Sequence, residues 1–254
     1  MKTVERSPIR GTTGPLSIGD RITGMWRYGS SWTQDLAAQD LLVSQLSGFL
    51  ENSYTLIRNV ALPTLYLSVP CTLIGPTGAR VIFASGLKGI FRARGDAWAE
   101  LDARNRRYVP YRPNLIRRVA LMGQALREYL ASAGLPLEHI EPVLFFAQPG
   151  IHVESIEPAV HLLQTDDLER YTASLRMEEH WLDSTDVQRI VDLLTISKPR
   201  APETSVRQEI SLPSEDAVGV GKMRMKPWQW LVIGVMIVLW LVIIIFGTLW
   251  LLST

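Results

Sequence analysis

Cysteine is almost missing from this chain: Cys71 is the only one in 254 residues. No internal disulfide can form, and no second thiol exists for a metal site. Cys71 lies in an apolar run, where a buried thiol in a reducing compartment is the ordinary expectation. The four histidines, His139, His152, His161 and His180, are spread without metal-ligand spacing, which argues against zinc. No Gly-x-Gly-x-x-Gly or Walker-type loop occurs. Ser85-Gly86-Leu87-Lys88-Gly89 lacks the spacing and strand-to-helix setting of a phosphate cradle and is expected to be a turn between strands. The first residues, MKTVERSPIRGTTG, have mixed charge and no apolar core, unlike a secretory signal peptide. These shortages leave no metal and no cofactor to expect.

Net charge is also scarce, at +1, which argues against a chain that coats nucleic acid wholesale. The average conceals two opposed stretches. From Arg80 to Arg127 there are eleven Lys or Arg against three acids, Asp96, Glu100 and Asp102, a balance of +8. From Glu138 to Asp192 twelve acids face three Arg, a balance of −9. Arg92, Arg94, Arg104, Arg106, Arg107, Arg112, Arg117 and Arg118 are candidates for a face that binds phosphate backbones or anionic headgroups. A solvated surface is the bland alternative, because charge runs usually have no specific partner. The acidic half is a further candidate partner for this face, within the molecule or between copies. Trp98, Tyr108 and Tyr111 lie near enough to stack on bases, although such aromatics are more often packing residues.

What is present in abundance is a long apolar run. Trp230 to Leu252 is 23 residues without a charge, which as a helix spans roughly 34 Å, enough for a hydrocarbon core of about 30 Å. Trp228 and Trp230 at one end and Trp250 at the other suit the membrane interfaces. Lys222, Arg224 and Lys226 precede the run, so the positive-inside bias predicts a single-pass C-terminal anchor, Trp228 to Leu252, in a lipid bilayer, with the N-terminal part cytosolic. A buried core helix is the competing reading, but uncharged runs this long are rare in soluble domains.

Four segments follow: an N-terminal extension over 1–30, an α/β domain over 31–197, a Pro/Ser/Glu-rich flexible linker over 198–227 with a basic end, and the transmembrane helix over 228–252. Within the domain, Thr33 is placed to cap a helix to Leu50 carrying Leu36, Val43, Leu46 and Leu50. Strands are expected over 54–62, 65–74 and 80–84, the last two joined by Gly75-Pro76-Thr77-Gly78, with short strands at 90–94 and 97–101. Pro113 opens a helix to Ser132, with Leu115, Val119, Met122, Leu126 and Leu130 on one face, ended by Gly134. A buried strand at 142–147, another at 159–163, a helix over 166–175 and a last helix capped by Ser184 complete the pattern. The order helix, three strands, helix, strand predicts an α/β fold with a small mixed sheet flanked by helices.

Several short pieces occur in that order: Ile57-Arg58-Asn59-Val60-Ala61-Leu62-Pro63, Leu73-Ile74-Gly75-Pro76-Thr77-Gly78, Ala97-Trp98, Arg112-Pro113-Asn114 leading into Ala125-Leu126-Arg127-Glu128-Tyr129-Leu130, and Val143-Leu144-Phe145-Phe146. Together they resemble the nuclease-related domain family, NERD, a branch of the PD-(D/E)XK nuclease-like fold, over residues 33–165. The resemblance implies an Asp before the strand that ends in Gly-Pro and a Glu-x-Lys on the next strand. Two such carboxylates hold a hard cation such as Mg²⁺, and the Lys steadies the attacking water or the developing phosphate charge. Here the three positions are Pro70, Phe83 and Ser85. Relatives tend to carry Gly-Glu where this chain has Ala38-Gln39, and a Gln where it has Ile116. Proline and phenylalanine offer no oxygen ligand.

The expectation is therefore a membrane-anchored pseudoenzyme, a catalytically inactive binding or scaffolding module with an unidentified protein partner. The alternatives are a divergent metal-dependent nuclease using Lys88, Asp96, Glu100 or Asp102 as relocated catalytic residues, and a nucleic-acid or anionic-lipid tether without chemistry.

Overall fold

A computed structural model describes residues 1–6, 32–62 and 68–196. The described chain is mixed α/β, with two mixed sheets and four helices. The elements are β1 (Lys2–Glu5), α1 (Trp32–Phe49), β2 (Thr55–Val60), β3 (Val69–Gly75), β4 (Gly78–Ser85), β5 (Gly89–Arg94), β6 (Ala97–Asp102), β7 (Arg107–Pro110), α2 (Leu115–Ser132), β8 (Ile140–Phe146), β9 (Ile151–Ile156), β10 (His161–Gln164), α3 (Leu168–Met177) and α4 (Ser184–Ile196). The predicted anchor at 228–252 and the linker at 198–227 lie outside the described residues. Among the described residues no helix is long and apolar enough to cross a membrane.

The larger sheet has six strands in the order β1-β2-β3-β4-β8-β10. β2, β3 and β4 form an antiparallel meander, and β8 joins β4 in parallel. The last pairing needs a crossover, which α2 supplies. β3 and β4 are buried at every position, as strands covered on both faces must be. Ala79, Val81 and Phe83 join α2 and α4 in one apolar cluster, and Ile82 and Ala84 join α1 and α3 in another. This division follows from the two-residue strand period.

The second sheet, β7-β6-β5-β9, was not expected as a separate layer. Its inner face carries Phe91, Ala93 and Trp98 into the first cluster. Trp98 stacks on Phe91 at 4.8 Å and on Phe146 of the larger sheet at 5.8 Å, so the two layers share a core. A single small sheet is thus corrected to two.

The helix predicted after Pro113 begins at Leu115, and Asn114 caps it by accepting from the Arg117 backbone N–H at 3.1 Å. All five of its predicted face residues are buried. Gly134, at φ 78°, ends it, and the Leu135 N–H returns to the Leu130 carbonyl at 2.9 Å, a left-handed termination that glycine alone adopts without strain. Two expected caps are displaced. Thr33 lies inside α1, whose buried stripe is Ala38, Leu42 and Leu46 rather than one through Leu36 and Val43. Asp183, not Ser184, caps α4 by accepting from the Asp186 N–H at 2.7 Å. Strand β1, within the predicted N-terminal extension, pairs in parallel with β2.

Candidate functional site

The sheet register brings the expected nuclease positions together. Cys71 pairs with Ile82 as the last pair between β3 and β4, and Pro70 and Phe83 are the next residues on the two strands. Phe83 joins the cluster under α2, and Ser85, two residues on, belongs to the same side of β4. Phe83 is 6% and Ser85 1% exposed.

The proline is accommodated by a distortion in its neighbour. Arg58 pairs with Cys71 and Val60 with Val69, leaving Asn59 between them unpaired opposite Pro70. Asn59 adopts φ 58°, and its Nδ2 donates to Glu5 at 3.1 Å. A proline has no N–H to give the ladder, and the kinked residue beside it removes the demand.

Around Phe83 the chemistry is aromatic and cationic rather than carboxylate. The Arg118 guanidinium lies 5.0 Å from the ring centroid, and its Nε finds no hydrogen-bond partner among the described residues. Burial lowers the Arg118 pKa, opposed by the charge of Asp35. Asp35, in the first turn of α1, accepts from the Gly86 N–H at 3.0 Å. Burial raises its pKa, while that hydrogen bond and Arg118 pull it down. Gly86 is locked against α1, where a Cβ would meet Gln34 at 2.6 Å. Asp35 therefore fastens the end of β4 to α1. Sequence reasoning missed it; its place three residues before Ala38-Gln39 is the signal that was available.

Gln39 is 7% exposed and accepts from Arg58 at 3.4 Å, and Ile116 is fully buried in the core. Neither faces a reactant. Of the four relocated candidates, Lys88 is exposed in the β4–β5 loop, and Asp96 is exposed at the β5–β6 turn. Asp102 accepts from the Arg104 N–H and from Asn105, bonds that lower its pKa. Glu100 is partly buried, as is Asp102, and its charge together with burial, the larger cause, raises the Tyr111 pKa. Among the described residues no three His, Cys, Asp or Glu side chains are grouped to hold a metal ion.

The arginine stretch does not form one face. Arg92 pairs with Glu154 at 2.8 Å and lies 3.8 Å over the Tyr108 ring. Arg118 turns inward to Phe83, whereas Arg117 is exposed on the first turn of α2 and Arg94 at the far end of β5. Arg104, Arg106 and Arg107 are exposed together at the β6–β7 hairpin tip, with Arg106 at φ 50°. Trp98 and Tyr111 pack on Phe91 and are not laid out for stacking bases.

A second polar centre lies at the other end of β4. Arg80 is 5% exposed; it donates to the Thr77 carbonyl at 2.8 Å and pairs with Glu141 at 3.4 Å and with Glu178. Glu141 also accepts from Tyr171 at 2.9 Å and pairs with His161 at 2.9 Å. Burial pushes the Glu141 pKa up, but His161, Tyr171 and Arg80 together leave it below the ordinary value. The Glu141 hydrogen bond raises that of His161. A cleft of about 340 Å³ opens beside β10, between Val153, Pro158 and Leu162. His161 also lines this cleft, with its ring 5.1 Å from that of Tyr171.

Compared with protein-family models, curated proteins and solved structures, the chain gives no match.

Proposed function

We propose that this protein is a membrane-anchored, nuclease-like α/β domain without nuclease chemistry, kept as a binding module and tethered to a bilayer by residues 228–252. The order α1, β2–β4, α2, β8, with three antiparallel strands and a parallel fourth, supports a NERD-like core. One observation carries the loss of activity. The positions where that family needs two carboxylates follow the last β3–β4 pair on the two strands, and they hold Pro70 and Phe83, the latter under Arg118. Neither side chain can bind Mg²⁺ through oxygen.

Plasmid nicking by the purified full-length protein across Mg²⁺ and Mn²⁺ tests this. No cleavage above a buffer control is expected. Metal-dependent nicking abolished by Glu100→Gln, Lys88→Ala or Asp96→Ala would establish relocated catalytic residues and end the reading.

A further inference from the structure

Two exposed surfaces of opposite character lie at the two ends of β4. At its start, the Trp181 and Leu182 N–H groups donate to the Pro76 carbonyl at 2.8 and 2.9 Å. This fixes Trp181 against His139, ring on ring at 4.2 Å, while leaving the indole 51% exposed. Along the chain Met177 is 90% exposed, and Glu138 next to His139 and Glu179 close before Trp181 are exposed, as is Arg176. At the end of β4 the chain passes through exposed Lys88 into β5. Phe91 pairs with Glu100, so the same register sets Gly89 near Asp102, at the base of the tip carrying Arg104, Arg106 and Arg107.

β4 has eight residues, so about 23 Å of strand separates these ends at about 3.3 Å per residue. That is more than two screening lengths at physiological salt. The two charged surfaces cannot neutralise each other within one molecule. Among the described residues Arg104, Arg106 and Arg107 form no ion pair. An exposed indole with Glu138 and Glu179 close to it along the chain is a favourable seat for a guanidinium, which gains both cation–π and Coulomb attraction.

From this complementarity we infer that the partner of the module is a second copy of the chain, the Arg104–Arg107 tip of one molecule docking on the Trp181 shelf of the next. Each molecule carries both surfaces, so the contact is made either reciprocally across a two-fold axis or head to tail. Copies anchored in one bilayer meet at raised effective concentration. The inference rests on the binding-module reading, which it deepens by naming the partner.

Full-length protein in detergent is followed by sedimentation and crosslinking over a salt series. Concentration-dependent association that weakens with salt is expected. R104E/R106E/R107E, E138K/E179K and W181A should each weaken it at least about tenfold, with circular dichroism unchanged. Mixing the two charge-reversed variants should restore association, since each then offers what the other lacks. A wild type that stays monomeric at every salt, or association indifferent to both reversals, overturns the proposal. So does a tip reversal that abolishes binding to phosphatidylserine vesicles while leaving self-association intact. Nicking activity with intact self-association would defeat the nuclease-dead reading alone, so the two failures are distinguishable.

Discussion

Both sheets contain arginine, and they use it in opposite ways. In the six-stranded sheet Arg58 and Arg80 are each 5% exposed. Arg58 is held by Glu5 at 3.2 Å and Asp40 at 2.9 Å, and Arg80 by Glu141 and Glu178. In the four-stranded sheet Arg92 is tied to Glu154 at 2.8 Å, but Arg94 and Arg107, with Arg104 and Arg106 in the turn between β6 and β7, stand in solvent. Two strand faces covered by helices force a charge into ion pairs, whereas a hairpin tip imposes none on it. A run of arginines in sequence is therefore not a surface; the burial of each and the carboxylates within its reach decide whether it serves the fold or is free to meet a partner.

Removing a buried partner is the strongest way to break this contrast. Arg80→Ala should lower unfolding free energy by about 3–5 kcal/mol, because Glu141 and Glu178 lose their shared cation. Arg94→Ala should change it by less than about 0.5 kcal/mol. Denaturant titration of both variants reads the difference, and equal effects would erase the distinction between the sheets. An intermediate effect is expected at Asn114, which caps α2 and donates to the Asp96 carbonyl of the β5–β6 turn at 2.8 Å. Asn114→Ala should cost about 1 kcal/mol and loosen the smaller sheet first, visible as faster amide exchange in β5 and β6.

The smallest effect is on pH dependence. His161 has a raised folded pKa, so its contribution is full below its ordinary 6.5 and is lost as pH rises through the folded value. Glu141 has a lowered one, so its contribution is present above its ordinary 4.5 and is lost as pH falls through the folded value. Stability should peak between these limits and decline above neutrality. His161→Gln should flatten the alkaline side of the profile, modestly, since the imidazole is 42% exposed. An unchanged profile would remove His161 from the network's energetics.

The larger sheet was legible because its strands are apolar and its turns are marked. Gly75-Pro76-Thr77-Gly78 and Gly134 each require a backbone that few other residues accept. The smaller sheet was half legible. Gly89–Arg94 and Ala97–Asp102 alternate, but Arg107–Pro110 is a short edge strand ending in proline, and Ile151–Ile156 buries only its first residue. Lys2–Glu5 has no apolar pattern at all and is a strand only because β2 offers it an open edge. At the candidate site Pro70, Phe83 and Ser85 were singled out by the resemblance, and the strands carrying them by their apolar pattern. The Asp35 clasp and the Arg118 contact were not, since both depend on which helix end meets which strand end. Dispersal of the arginines was equally invisible, because charge counting carries no register.

The lone thiol ends up in the middle of the larger sheet. Cys71 is fully buried, and desolvation pushes its pKa up to about 12, so at neutral pH it offers neither thiolate nor access to an oxidant. The native protein thus has no thiol that surface chemistry can reach. A cysteine introduced on the hairpin tip or beside Trp181 would be the sole labelling site, and slow alkylation of Cys71 itself would clock the opening of β3.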